Sequence, residues 1–330
     1  MRRWIETLLK AAISIGLLWF LLRGGVLERA IEETRDRFEL PFFLLGLAAF
    51  ALSNLLGGIQ WNLLLRAQEI VISTWRAVSL YFVGLFFSNF LPANLGGDVV
   101  KVVDLYRETG KGGGAVAATV VDRGAGLIVL SLMACVSGFL YWKWFGFDRF
   151  LYLIPLFFLV FIGTGLLVLS NRCVRFLERT LARVPIDSVR TKGEALLQAL
   201  FVYRKRKLAL LAAFCVALVV QTLRVLVHYF AARTIGLDPP LVLFFLFIPI
   251  IAVFLALPIS INGLGIREGL GVYLYGLIGI ESELAFTISF LAYVIGVVVS
   301  LLGGVFFIVR PNRGRVTPAG PITQEAERSS

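Results

Sequence analysis

Apolar residues run in long blocks along the chain, at 8–22, 41–58, 78–91, 115–141, 150–170, 208–227, 241–257 and 284–309, with short polar or basic stretches between them. A helix crossing the bilayer core takes about 20 apolar residues, so these blocks predict membrane helices. Two places depart from the pattern. "SNFLPANLGGDVVK" at 88–101 and "LPISINGLGIRE" at 257–268 each interrupt an apolar run with Pro, Asn and Gly, then add charges at once.

Composition strengthens the assignment. The chain is 58% hydrophobic with a mean hydropathy of +0.87, well above a soluble domain. Cys135, Cys173 and Cys215 lie in or beside apolar runs and suggest neither a disulfide framework nor a metal cluster. Met1-Arg2-Arg3 before the first run resembles a signal peptide, but Arg23 and acidic residues flank the run and no small-x-small cleavage site follows. It reads as a retained first helix. The polar residues 311–330 read as a disordered tail.

The net charge of +11 raises the question of nucleic acid, and its distribution argues against that. The longest basic stretch, 172–207, lies between two apolar runs. Within it Arg172, Arg175, Arg179 and Arg183 fall at helical spacing, with Val174, Phe176, Leu177 and Leu181 on other faces. The stretch is either an amphipathic helix on an anionic membrane surface or a solvated loop obeying the positive-inside rule. Both place it in the cytoplasm.

Threading from that loop predicts an all-α polytopic fold with about six full crossings. Block 208–235 crosses outward, and 284–309 returns inward to the basic tail. Segments 241–257 and 264–279 are then a hairpin that enters and leaves from outside, broken at Pro258 and Asn262-Gly263. Running backwards, 77–110 is a second hairpin from inside, broken at Pro92, Asn94 and Gly96-Gly97, and both termini are cytoplasmic; the alternative, in which 77–91 and the later short segments all cross fully, puts the N-terminus outside against its own charges. The two halves, about 1–145 and 146–310, form an inverted-topology repeat. In secondary transporters of this construction the substrate site lies near the midplane, where the broken elements meet.

Irregular backbone at membrane depth needs protein or a water-filled cavity around it. A helix restarting after each break presents free N–H groups and a positive dipole end, a natural anion site. Gly96, Gly97, Gly263 and Gly265 would let a ligand approach closely, beside Asn94 and Asn262. Asp98 and Lys101 follow the first break; Arg267 and Glu268 follow the second. Asp122 and Arg123 lie near the start of a membrane run. Gln221, Arg224 and His228 share one helix face. Charges at this depth cost several kcal/mol unless paired or hydrated. Cations outnumber carboxylates here, which favours an anionic ligand. Helix capping for Asp98, snorkelling or a packing ion pair for Asp122-Arg123, and a structural hydrogen bond for His228 remain the simpler alternatives.

Three blocks in order, "NFLPANLGGDVVKVVDLYRETG", "AVAATVVDRGAGL" and "LPISINGLGIREGLGVYL", resemble the membrane domain of lysylphosphatidylglycerol synthases and its stand-alone flippase-like relatives. The resemblance covers about 8–310. In the bifunctional synthases this domain is associated with moving aminoacylated phospholipid between leaflets, and a separate soluble domain makes that lipid from aminoacyl-tRNA. Some relatives accompany polyprenyl-phosphate glycosylation systems. The resemblance does not extend to the soluble domain, so it implies neither synthase activity nor tRNA binding. It implies that Asn94, Gly96, Gly97, Asp98, Lys101, Asp122, Arg123, Asn262, Gly263, Gly265, Arg267 and Glu268 belong to the working part.

The expected function is translocation of an anionic or phosphate-bearing lipid, a phospholipid or polyprenyl-phosphate glycolipid, in a prokaryotic-type plasma membrane. The expected partners are membrane lipids and a separately encoded lipid-modifying enzyme, with no cofactor, metal or nucleic acid. No G-x-x-x-x-G-K-[ST] loop is present, so direct driving by ATP is not expected. A membrane enzyme acting on a lipid phosphate is the alternative, weakened by a single His and no H-E-x-x-H spacing. A scaffold for a separate glycosyltransferase or synthase is another; it leaves the broken hairpins unexplained.

Overall fold

The computed structural model describes residues 37–89, 96–145, 187–256 and 265–309, with single positions at 159, 163 and 179. The tail at 311–330, the block at 8–22, the block at 150–170 apart from 159 and 163, the basic residues 172–186 apart from 179, and Asn94, Asn262 and Gly263 lie outside the described residues. The described part is helical: α1 (Leu40–Ala67), α2 (Thr74–Ser88), α3 (Gly96–Thr109), α4 (Gly112–Phe145), α5 (Asp187–Lys205), α6 (Lys207–Thr234), α7 (Leu241–Ala256), α8 (Ile266–Gly276) and α9 (Ser282–Val309). Among them α1, α4, α6 and α9 are long and apolar enough to cross a membrane. The chain is a polytopic all-α membrane protein.

Helix ends fix the directions. The Glu39 N–H donates to the Thr234 carbonyl at 2.8 Å, so α1 begins where α6 finishes. At the opposite end the Tyr203 hydroxyl donates to the Leu64 carbonyl at 2.9 Å and Gln68 Nε2 to the Ala199 carbonyl at 2.6 Å. Helices α1 and α6 are therefore antiparallel. Helix α4 starts at the Ala67 end, where Trp61 Nε1 donates to Thr119 Oγ1 at 3.1 Å. Helix α9 finishes there, with Phe306 edge-on to Trp75 at 5.6 Å.

The short helices form two hairpins. Helices α2 and α3 are closed at their outer ends by an ion pair between Arg76 and Glu108, and Asn62 Nδ2 holds Thr74 Oγ1 at 3.1 Å. Both outer ends lie at the Ala67 end. Helices α7 and α8 are closed at the Thr234 end, with the Tyr275 ring 5.7 and 5.8 Å from Phe244 and Phe247. At about 1.5 Å per residue these helices are roughly 16–24 Å long, short of a bilayer core of about 30 Å. The order long, short, short, long thus occurs twice with opposite direction, as α1–α4 and α6–α9. Helix α2 packs on α9, and α7 packs on α4. The two halves exchange partners.

Lipid tails are as apolar as leucine, so helices in a membrane associate through close packing at small residues. A Cβ added at Gly58 would lie 2.7 Å from Val78 Cα, and one at Gly46 2.7 Å from Ile295 Cδ1. One at Gly303 would strike the Phe82 carbonyl. Each hairpin rests on its own apolar cluster. Trp61, Leu64, Leu65, Leu80, Leu105 and Tyr203 anchor the first; Phe244, Phe247, Tyr275 and Ile288 anchor the second.

Candidate functional site

Between the clusters lies a cavity of about 610 Å³. Its walls repeat. Phe50, Asn54 and Gln60 of α1 have Ala217, Gln221 and Val227 of α6 at identical spacing. Tyr81, Gly84, Leu85 and Ser88 of α2 have Ile248, Ile251, Ala252 and Leu255 of α7. Asp122, Arg123, Gly126 and Leu127 of α4 have Ala292, Tyr293, Gly296 and Val297 of α9. Equivalent faces of the two halves therefore enclose one space.

Asp98, Lys101, Asp122, Arg123, Arg224, His228 and Arg267 all line it, with Gln221. Thus the helical spacing of Gln221, Arg224 and His228 puts the three on one wall. At the first hairpin Asp98 Oδ1 lies 2.9 Å from Lys101 Nζ, and Asp98 Oδ2 lies 2.8 Å from both Arg123 Nη2 and Nε. One carboxylate from α3 therefore joins a cation of its own helix to one of α4. The Lys101 side chain is only 3% exposed, and its ammonium lies 4.5 Å from the Tyr81 ring centroid and 5.0 Å from that of Trp61. Asp122 is buried, with Lys101, Arg123, Asp98 and Arg224 as its charged neighbours.

At the second hairpin Glu268 is fully buried and does not line the cavity. Its Oε2 accepts the Gly265 N–H at 2.7 Å, which caps the start of α8. Gly265 has φ +83°, in the left-handed region that favours glycine. Arg267 Nη1 lies 3.8 Å from Glu268 Oε1, and the guanidinium lies 5.1 Å from the Tyr293 ring centroid. His228 Nδ1 is buried and makes no hydrogen bond.

Gly96 opens α3. Gly97 is buried where α3 crosses α2: a Cβ there would strike the Gly84 carbonyl and the Ser88 hydroxyl. That helix crossing by itself accounts for a glycine at 97. Among the described residues no group of three or more His, Cys, Asp or Glu could hold a metal ion.

Sequence reasoning missed Asn54, Gln60, Trp61, Tyr81, Asn89 and Tyr293. A signal was available for two of them: Asn54 is an uncharged polar residue inside the apolar run 41–58 and Gln60 lies just past its end, and Asn54 stands where Gln221 stands on α6. The aromatic residues gave none, because a ring under a cation looks like any membrane aromatic until the cation is located.

A family model described as the lysylphosphatidylglycerol synthase TM region matches residues 7–304. The chain is also 29% identical over 126 residues to UPF0104 membrane protein PH1989 of Pyrococcus horikoshii, a match spanning 37% of this chain and 36% of that relative. No solved structure matches. With a family match running almost from end to end, across both hairpins and all four long helices, the chain belongs to the family of the lysylphosphatidylglycerol synthase transmembrane region.

Proposed function

We propose that the protein is a translocase that carries an anionic, phosphate-bearing lipid headgroup between leaflets through this cavity. The observation that carries the proposal is the charge of the walls. Lys101, Arg123, Arg224 and Arg267 face the space against Asp98 and Asp122, at a depth where unpaired charge is costly. An excess of cations there favours a ligand that brings negative charge, and arginine forks suit phosphate oxygens.

In this reading a phosphate sits among the four cations, and the polar side chains Asn54, Ser88, Asn89 and Gln221 supply hydrogen bonds to the rest of the headgroup. Glu268 keeps Arg267 in place and caps α8. Inverted repeats change access by rocking one half against the other around a fixed site, and the exchanged packing of α2 on α9 and α7 on α4 suits such a motion. Both termini are cytoplasmic in a prokaryotic-type plasma membrane, and a separately encoded enzyme supplies or consumes the lipid.

The test is translocation in liposomes, with purified protein and fluorescent phospholipids or polyprenyl-phosphate lipids. Wild type moves at least one anionic lipid, and Arg267→Ala abolishes movement while membrane insertion is unchanged. Movement undiminished in Arg267→Ala removes Arg267 from the site. Chemical turnover of the lipid without movement moves the protein to the enzymes.

A further inference from the structure

Lys101 is buried at the first hairpin, Arg123 faces it from α4 with its side chain half exposed, and both already have an anion. Asp98 lies between them at 2.9 and 2.8 Å. The donors of both cations are therefore already taken, Lys101 Nζ by one carboxylate oxygen and the Arg123 fork by the other. A phosphate arriving here meets Asp98 in the place it would take. Its oxygens need the same donors, Lys101 Nζ and the Arg123 fork, at the same distances.

We propose that Asp98 is the resident anion of the cavity, a carboxylate that holds Lys101 and Arg123 until the ligand's phosphate displaces it. The inference rests on the proposed phosphate-lipid function and adds its regulation. The aromatic walls make the exchange possible. Lys101 is held by Tyr81 and Trp61 as well as by Asp98, so it keeps its position when the carboxylate leaves. Asp98 has another place to go. It stands in the first turn of α3, whose N–H groups and dipole favour a carboxylate. Arg224 and Arg267 line the same cavity and provide the initial attraction.

The exchange has a mechanical consequence. The Asp98–Arg123 pair ties the hairpin helix α3 to the spanning helix α4. A phosphate that takes both Lys101 and Arg123 replaces this direct latch with a bridge through the ligand, so the spacing of α3 and α4 changes only when the site is loaded. The ligand supplies the differential affinity that any shift between two states requires.

The experiment measures equilibrium binding to the full chain in nanodiscs by titration calorimetry, with dodecyl phosphate and inorganic phosphate as probes. The two probes separate a lipid headgroup from a free anion. Wild type binds dodecyl phosphate, Asp98→Asn binds it about tenfold more tightly, and Lys101→Met loses binding. If Asp98→Asn binds no better than wild type, or worse, Asp98 serves to position the cations and the inference fails, while the phosphate site stands. If neither wild type nor Asp98→Asn binds either probe, the proposed function fails and the inference with it. Inorganic phosphate bound as tightly as dodecyl phosphate makes the ligand a free anion and likewise overturns the lipid function. A second measurement leaves Asp98 intact. With the native cysteines replaced by serine, spin labels at Val103→Cys on α3 and Val116→Cys on α4 report their separation. Added dodecyl phosphate lengthens or broadens it; an unchanged distance at saturation overturns the latch.

Discussion

Beside the first hairpin, α2 offers the cavity Tyr81, Gly84 and Ser88; at the same spacing beside the second, α7 offers Ile248, Ile251 and Leu255. The same contrast holds on the spanning helices, with Asp122 and Arg123 on α4 against Ala292 and Tyr293 on α9. It also holds within the hairpins. Lys101 lines the cavity from α3, whereas Gly271, three residues after the carboxylate of α8 as Lys101 is after Asp98, packs against the Ser289 side chain. Helix lengths, directions and packing partners are shared between the halves, and the ionisable groups are not. Geometry can be repeated cheaply in a membrane, because small-residue packing works at any depth. Buried charge cannot, because each added ion needs its own partners. The first half therefore concentrates the ion pairs, and the second supplies largely apolar walls on α7 and α9, with Arg224, His228 and Arg267 facing the space from α6 and α8.

The largest test of that division is Lys101→Met. Breaking a buried ion pair costs about 3–5 kcal/mol where the other partner is left bare; here Asp98 keeps Arg123, so the cost lies below that range. The expected result is loss of lipid movement by up to about a hundredfold, with a lower unfolding temperature. Placing a charge at the matching position, Gly271→Lys, gives no gain of transport and destabilises, because the site faces Ser289 and not the cavity. Transport preserved in Lys101→Met breaks the comparison, since the first hairpin then has no special role.

Next in size is a steric contrast within the hairpins. Gly97→Ala forces a methyl onto the Gly84 carbonyl and Ser88 hydroxyl, and Gly269→Ala meets nothing within 4 Å. Overpacking of this kind costs about 1–3 kcal/mol, whereas alanine in an open helical position gains up to about 1 kcal/mol. Thermal unfolding of the two variants should move in opposite directions. Equal shifts would show that α3 and α2 can part without cost.

How much of this was legible follows from the physics of each signal. The long helices were readable because membrane crossing demands length and apolarity together, as in 208–227 for α6. The hairpins were readable because Pro, Asn and Gly have no reason to interrupt an apolar run unless the chain turns. Gln221, Arg224 and His228 were readable as a group because helical spacing alone puts them on one wall. Glu268 was not: its role is set by a backbone N–H three residues back, and its full burial takes it off the cavity surface. Gly97 looked like a place for a ligand, and the contact it makes is with α2. Trp61 and Tyr81 were invisible, because their importance lies in one ammonium brought to them from α3.

The smallest effect concerns the aromatic neighbours of the two buried cations. Lys101 has two rings, Trp61 and Tyr81, and Arg267 has Tyr293 at 5.1 Å. A cation over a ring gains about 0.5–2 kcal/mol, more when water is excluded. Tyr293→Leu removes that attraction and keeps an apolar side chain, so apparent affinity for the anionic lipid should fall about fivefold, within that range. Tyr293→Phe keeps the ring face and should leave affinity unchanged. If Phe and Leu lose affinity equally, the hydroxyl is the functional part and Tyr293 contacts the ligand directly. If neither loses any, the Tyr293 ring does not help to hold Arg267, and Glu268 does. The second hairpin would then position its cation with a carboxylate, as the first does with Asp98, and the two halves would be more alike in chemistry than their walls suggest.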